Sequence, residues 1–248
     1  MNPLQDKNLR EIEGLNQRGG RTLSFVDLIA AGTMTAEMVA HCWTAIAHGA
    51  SFITAARPGG AGKSTVLANL LCLLPPGEEI VTVTDPHIVD DDGPNCYLAH
   101  EIGPGHWYGY IWGRQVAEFL ALIPRGNRVA SCLHADTLDE TRQILTSPPL
   151  QAPLDHFNML DLVLFVHVRG SRRRVATLHE STGNGHRMAF EWDETSDRIQ
   201  RLGPSGMFER LGASEEEYQT RLEAVERIVA QGETRFERVR EEMLKAYG

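Results

Sequence analysis

The stretch that decides the fold of this chain is Ala50–Thr65, ASFITAARPGGAGKST. Its first half is apolar and typical of a buried strand, its middle is rich in glycine, and the apolar run Val66–Leu74 that follows indicates a helix. Gly62–Ser64 match the second half of the phosphate-loop pattern G-x-x-x-x-G-K-[ST]. Arg57 stands where that pattern has its first glycine. The stretch therefore predicts a strand, a near-match phosphate loop and a helix.

Such a loop holds a polyphosphate mainly through its backbone, because the N–H groups of residues 60–64 would point into one concavity at the positive end of the helix. Lys63 would reach the β- and γ-phosphates, and the Ser64 hydroxyl would be a Mg²⁺ ligand. The residues expected to bind ATP or ADP are Pro58, Gly59, Gly60, Ala61, Gly62, Lys63, Ser64 and Thr65. The competing interpretation is a glycine-rich strand–helix turn that carries a chance Lys-Ser pair.

Composition narrows the class of protein. The 248 residues are 42% hydrophobic and 23% charged, which is ordinary for a globular chain of one large domain or a domain with a small appendage. The net charge is -9, with no basic block beyond Arg172–Arg174, so a direct nucleic-acid partner is not expected. No signal peptide or membrane-spanning run is predicted. The four cysteines lack C-x-x-C spacing, which fits a reducing cytoplasm.

The pattern along the chain indicates an α/β protein. Strands are predicted at Glu79–Thr84, Cys96–Ile102, Arg128–Leu133, Asp161–Val168, Arg172–His179 and Arg187–Trp192. Helical patterns alternate with the earlier strands, which favours a mostly parallel sheet with helices on both faces and antiparallel strands at its end. Residues 1–20 are expected to be a flexible leader, 21–205 the α/β domain and 206–248 a helical hairpin.

Three motifs in order carry a family resemblance: the phosphate loop, Thr84-Asp85-Pro86 after the next strand, and Leu133-His134-Ala135-Asp136. With them the sequence resembles the type II/type IV secretion ATPase superfamily, the motors of secretion systems, type IV pili and archaeal flagella. The family's loop commonly reads G-P-T-G-S-G-K-[ST]-T, and R-P-G-G-A-G-K-S-T here keeps most of it. The similarity runs from about Thr22 to the C-terminus and includes F-E-W-D-E-T-S-D at Phe190–Asp197.

The resemblance implies a RecA-like P-loop ATPase with a helical C-terminal appendage. It further implies a homo-oligomeric, hexameric ring that couples ATP hydrolysis to conformational change. The partner would be a membrane platform protein of a secretion or pilus machine, and the chain would lie in the cytoplasm, peripheral at the inner face of the membrane through that partner.

Three residues take catalytic roles by this resemblance. His134 stands for the histidine of the family's L-H-x-N signature, near the γ-phosphate, where it would relay nucleotide state; the alternative is a structural histidine. The acid of the family's G-E-[IL]-R strand end falls near Tyr110 by its usual interval, where there is no acid. Glu101 is the preferred alternative, as a Mg²⁺-site carboxylate, and it requires an insertion at Gly103–Gly113. Asp85 is the third catalytic candidate.

The sequence also departs from the family. Thr84 replaces the hydrolytic glutamate, and a threonine is no general base, so either Asp85 or an acid of Asp90–Asp92 substitutes or hydrolysis is poor. Only about twenty residues stand where the family has a separate N-terminal domain, so Arg114 and Arg172–Arg174 are candidates for charge stabilisation across a subunit boundary. The rival hypothesis is a degenerate nucleotide-binding regulatory or structural subunit. A small-molecule P-loop kinase would need an acceptor lid that the sequence does not show.

Overall fold

The computed structural model describes residues 2–16, 19–84 and 95–247. The helices are α1 (Pro3–Gly14), α2 (Phe25–Ala30), α3 (Ala36–Ala47), α4 (Lys63–Leu71), α5 (Arg114–Leu120), α6 (Leu138–Thr146), α7 (Leu154–Asn158), α8 (Gly206–Leu211), α9 (Glu215–Gln231) and α10 (Phe236–Lys245). The strands are β1 (Phe52–Ala55), β2 (Glu79–Thr82), β3 (Asn95–Ile102), β4 (Tyr110–Ile111), β5 (Arg128–Leu133), β6 (Leu162–Arg169), β7 (Arg172–Ser181), β8 (His186–Asp193) and β9 (Arg198–Arg201).

These strands form one sheet of nine within the described residues, in the order β2-β3-β5-β1-β6-β7-β8-β9, with β4 paired to the end of β3. The first six strands in chain order run parallel, and β7 to β9 follow as antiparallel neighbours. The prediction of a mostly parallel sheet with an antiparallel end is confirmed. Strands β4 and β9 were not predicted, because one has only two residues and the other, Arg-Ile-Gln-Arg, has little apolar character.

Helices cover both faces of the sheet. Along β1 the side chains alternate between two apolar clusters, with Phe52 on one face and Ile53 and Ala55 on the other. The first cluster contains residues of α1 to α4 and α8 to α10, and the second contains residues of α5 to α7. A parallel strand covered on both faces is mostly apolar, and all four residues of β1 are buried. The architecture is a RecA-like α/β fold, and no helix in the described part of the chain is long and apolar enough to cross a membrane.

The first twenty residues differ from the flexible leader that their polar composition suggested, because residues 3–14 form α1. Its buried face carries two amide side chains beside its apolar residues. Gln5 donates to Pro76 O at 2.7 Å, and Asn8 donates to Glu78 O and accepts from Ile80 N at 2.8 and 2.9 Å. β2 is an edge strand, and these amides pair with backbone groups of β2 and of the segment that leads into it. The sequence of this helix is polar because part of its buried face hydrogen-bonds to backbone groups and does not pack on apolar side chains.

The C-terminal helices pack on the rest of the chain, and the division at residue 206 remains a prediction. α8 and α9 lie against α3, and the expected capping box of Ser214 with Glu217 is present. The expected box of Thr234 with Glu237 is absent, because α10 begins one residue later and Glu233 accepts the N–H groups of Thr234 and Arg235 instead.

One buried guanidinium joins α10 to the helix that follows the phosphate loop. Arg240 is 2% exposed and donates to Cys72 O and Leu74 O at 2.5 and 2.6 Å, and to Gln5 Oε1 at 2.9 Å. Burial lowers the pKa of Arg240. The carbonyls at the end of α4 would otherwise lack partners, so the guanidinium caps that helix from another element.

We expect Arg240→Met to lower the free energy of unfolding by about 3 kcal/mol, because it leaves two buried carbonyls without a donor while keeping the apolar stem packed. Urea denaturation followed by circular dichroism measures the change. Arg238→Met is the matched control, since Arg238 lies on the same helix, is exposed and pairs with Glu241 on the surface. Equal stability of the two variants would show that the buried contacts of Arg240 contribute nothing net.

Candidate functional site

The glycine-rich loop lies at the carboxyl end of β1, in the middle of the sheet between β5 and β6. Gly60 and Gly62 have φ of 82° and 103°, values that favour glycine, and Gly62 is the N-cap of α4. These two residues let the chain reverse between a buried strand and a buried helix. Position 57, where the loop pattern has its first glycine, needs no such freedom, because Arg57 is not among the residues with positive φ.

Several backbone N–H groups of this loop have no acceptor. Ala61 N donates to Pro58 O within the turn, and Val66 N donates to Gly62 O as the helix begins. The N–H groups of Gly60, Gly62, Lys63, Ser64 and Thr65 have no hydrogen-bond acceptor among the described residues. Five such donors next to one helix N-terminus form a cradle for an anion.

Lys63 brings a positive charge under this cradle. Its side chain is only 7% exposed, and its Nζ lies 3.9 Å from Glu101 Oε2, at the carboxyl end of β3. His134, which follows β5, lies 3.3 Å from the same Nζ. The three side chains therefore come from the ends of three different elements and meet in one place. Taking an ammonium group out of water costs free energy unless an opposite charge is near, and Glu101 supplies that charge.

His134 is held by one acceptor on each side of its ring. Nδ1 faces Arg57 O at 2.8 Å, and Nε2 faces Glu101 Oε1 at 2.9 Å. The Lys63 ammonium also lies 3.3 Å from the ring, so the imidazole contacts the loop backbone, the carboxylate and the lysine together. His134 thus connects the loop to the Glu101 carboxylate.

The first residue of the loop is tied to the segment after β5 through its backbone. Arg57 N donates to Asp136 Oδ1 at 2.8 Å, and its guanidinium forms an exposed pair with Glu140. Asp136 N donates in turn to Glu140 Oε2. These contacts hold the pKa of the Glu140 carboxyl below its usual value. Sequence reasoning singled out His134 but missed Asp136, although it follows in the same Leu-His-Ala-Asp motif.

The floor of the site is polar and buried. Thr54 Oγ1 donates to Lys63 O at 3.1 Å and lies 3.3 Å from Cys132 Sγ. Cys132 Sγ is 3.9 Å from the Ser64 hydroxyl oxygen, and burial raises the pKa of this thiol to about 11. Because the thiol stays protonated near neutral pH, it is a neutral donor to the Ser64 hydroxyl oxygen, and Ser64 also lines the cleft.

A cleft of about 680 Å³ opens above the loop, within the usual range of small-molecule sites. One wall carries Glu101, Tyr110 and His134, and the opposite wall carries Arg172 and Arg173. Residues of α1 and α2 close the remaining side, together with residues 21–23 between them. The cleft therefore has room for a ligand larger than a phosphate group.

The structure brings Lys63, Ser64, Glu101 and His134 together, and residues 59–65 line the same cleft. Pro58 turns the loop without lining it. Thr84 is exposed after β2 and is not among the cleft residues. Asp85 and Asp90–Asp92 lie outside the described residues.

The remaining predicted features also have definite places. Arg114 is exposed and pairs with Glu118, while Arg172 and Arg174 both pair with Asp197. In the aromatic segment 107–112, Trp107 and Tyr108 are 65% and 60% exposed, so they lie at the surface rather than in the core. Tyr110 faces the cleft instead, which sequence reasoning did not foresee because it placed no strand there.

A Mg²⁺ ion has a chemically suitable environment here, although the described residues contain no cluster of three or more His, Cys, Asp or Glu side chains that could hold a metal alone. One hydroxyl, Ser64, and one carboxylate, Glu101, line the cleft beside the unpaired N–H groups. An ion with so few protein ligands would take the rest of its coordination from water and phosphate, as Mg²⁺ commonly does.

Comparisons of the sequence and the fold with known proteins find weak similarity. No protein-family model matches the chain. An uncharacterized protein of Methanocaldococcus jannaschii is 25% identical, over 71% of this chain and 38% of that protein. The VirB11 ATPase from the Brucella suis type IV secretion system, solved in complex with sulphate, aligns with a TM-score of 0.35 and 14% identity, over 81% of this chain and 56% of that chain. The chain thus spans less than two thirds of the length of either protein.

We expect Asp136→Ala to speed amide hydrogen exchange at Arg57 about tenfold, because a hydrogen bond to a charged acceptor is lost. Exchange followed by NMR measures this directly. Asp139→Ala is the matched control, since Asp139 lies in the first turn of α6 with an 89% exposed side chain. Asp136→Asn keeps an acceptor oxygen and should restore most of the protection. If Asp136→Ala and Asp139→Ala exchange alike, the Asp136 contact does not hold the loop.

Proposed function

We propose that this chain binds a nucleoside triphosphate with Mg²⁺ on the loop 57–64 and hydrolyses it, as an ATPase related to the secretion and pilus motors. One observation carries the proposal: unpaired N–H groups of the loop surround a buried Lys63, and the Glu101–His134 pair lies directly beside that lysine. Phosphate oxygens would accept hydrogen bonds from the N–H groups and from the ammonium together.

In this proposal each side chain has a distinct role. Lys63 leaves its contact with His134 to bind the β- and γ-phosphates, and Ser64 Oγ and Glu101 hold Mg²⁺ directly or through water. Bound Mg²⁺ would neutralise charge that develops between the phosphates during the reaction. Binding of a phosphate in the loop would change the contacts of His134 with Arg57 O and with Glu101. Asp85 and Glu101 are the candidates for orienting the attacking water.

The wider setting rests on the resemblance of the motifs. We propose a homo-oligomeric ring, hexameric as in the secretion motors, that acts in the cytoplasm on a membrane platform protein. Residues 206–248 would be an appendage that moves with the nucleotide domain, since Arg240 binds the carboxyl end of α4. Such a ring would place exposed groups of one chain, such as Arg114, near the cleft of the next.

We expect Lys63→Ala to weaken binding of Mg²⁺-ATP at least a hundredfold, about 3 kcal/mol, because a buried cation contacts the phosphates directly. Isothermal titration calorimetry measures the affinity. Lys245→Ala, an exposed lysine paired with Glu242 on α10, is the control for loss of one positive charge. Tight ATP binding by Lys63→Ala would refute the site assignment.

We expect Glu101→Gln to reduce Mg²⁺-dependent ATP hydrolysis about 10²-fold while ATP still binds, because the amide keeps the shape but not the charge that holds the metal and His134. Steady-state phosphate release measures turnover, with Glu118→Gln, a half-buried residue of α5 outside the cleft, as the control. Unchanged turnover in Glu101→Gln would make Glu101 an ordinary carboxylate and leave Asp85 as the acid.

The second candidate function is a nucleotide-binding regulatory subunit with little hydrolysis. The observation that favours it is Thr84, which occupies the position of the family's hydrolytic glutamate and is exposed outside the cleft. Lys63-dependent ATP binding without turnover by the wild-type chain, measured at the same protein concentrations, would establish this function in place of the motor.

A further inference from the structure

Three consecutive arginines begin β7, and the structure gives them different partners. Arg172 and Arg174 both pair with Asp197, at 2.9 and 3.0 Å, and Arg174 also donates to Ala31 O at 2.9 Å. Arg173 points the other way, toward the glycine-rich loop. Within the described residues no carboxylate lies within ion-pair distance of Arg173, so its charge is unpaired.

The side chain of Arg173 lies along the loop. Its Nε donates to Gly60 O at 3.3 Å. A Cβ built on Gly62 would lie 3.4 Å from Arg173 Cδ, so the stem of the arginine packs against the last glycine before α4. Gly60 and Gly62 are also two of the residues whose N–H groups lack acceptors. The guanidinium therefore sits at the rim of the same cradle, opposite Glu101 and His134.

The remaining donors of this guanidinium are uncommitted. An arginine has five N–H donors in a planar fork, and Arg173 uses one of them on a carbonyl. A planar fork with free donors beside an anion cradle suits two oxygens of one phosphate, or oxygens of two successive phosphates. A lone carbonyl acceptor does not offset a full positive charge, whereas a polyphosphate does.

We propose that Arg173 binds the terminal phosphates of a nucleoside di- or triphosphate held by the glycine-rich loop of the same chain, and so favours nucleotides with more phosphates. The inference rests on the proposed nucleotide site and adds to it a binding residue from the start of β7. Arg172–Arg174 were expected to act across a subunit boundary, and this assigns Arg173 to its own chain instead.

The start of β7 is well placed for that role because its neighbours anchor it. The two bonds from Arg174 to Asp197 and the bond to Ala31 O fix it against the turn between β8 and β9 and against the C-cap of α2. Gly170, with φ of 61°, completes the reversal from β6. Arg173 can thus change partner from Gly60 O to a phosphate by side-chain rotation alone, which keeps the ordering cost of binding small.

The test is the affinity of the purified chain for AMP, ADP and ATP with Mg²⁺, measured by calorimetry for wild type, Arg173→Ala and Arg169→Ala. Arg169 lies on the same hairpin, is exposed and pairs with Glu194, so its loss matches the change in net charge. For Arg173→Ala we expect ATP affinity to fall about tenfold and AMP affinity to change less than about twofold, with ADP between them. Arg173→Lys should recover part of the ATP affinity, because it keeps the charge without the fork.

Two results would overturn the inference while leaving the nucleotide site intact. An equal loss for all three nucleotides in Arg173→Ala would mean that Arg173 only holds the loop through Gly60 O. Affinities equal to those of Arg169→Ala would mean that it does not contact the ligand. Failure of the wild-type chain to bind any of the three would instead refute the proposed function, and the Arg173 inference with it.

Discussion

A positive charge kept almost entirely out of water is the constraint on which the site depends. Lys63 is 7% exposed at the start of α4, and such a group requires an opposite charge nearby. Glu101 provides it from the end of β3. Since β3 and β5 are adjacent and β5 is adjacent to β1, the parallel order of these strands brings the carboxylate, the histidine and the lysine to one edge. The order of the strands thus determines which charged side chains meet in the cleft.

His134 and Asp136 couple the loop to this charge. One contacts Arg57 O and the other accepts from Arg57 N, so both backbone polar groups of the first loop residue are committed to the segment after β5. A displacement of the loop must therefore disturb the contact of His134 with Glu101. This explains why an arginine can occupy the position of the first glycine, because the loop is held there through backbone atoms and not by a special backbone angle.

α4 is held at both ends. Its N-terminus carries the unpaired N–H groups of the cradle, and its carboxyl end is capped by Arg240 of α10, with Tyr247 donating to Leu73 O at 2.5 Å. Gln5 of α1 shares the same guanidinium. The first and last helices of the described chain therefore meet at the far end of the phosphate-loop helix. Movement of α4 along its axis would therefore displace its contacts with α1 and α10.

Local sequence determined the strand–loop–helix unit and the parallel sheet with an antiparallel end, because apolar periodicity and glycine placement act over a few residues. Lys63 and Ser64 were candidates from the loop motif, whereas Glu101 and His134 were candidates only through the resemblance to a family. Tertiary structure alone decided the rest. Residues 3–14 look like a polar leader in sequence, but the backbone of the segment before β2 accepts hydrogen bonds from Gln5 and Asn8. Arg173 looks like its two neighbours in sequence, but both neighbours pair with Asp197. Partners far apart in the chain, such as Arg240 and Cys72, leave no local pattern, because only folding brings them within hydrogen-bond distance.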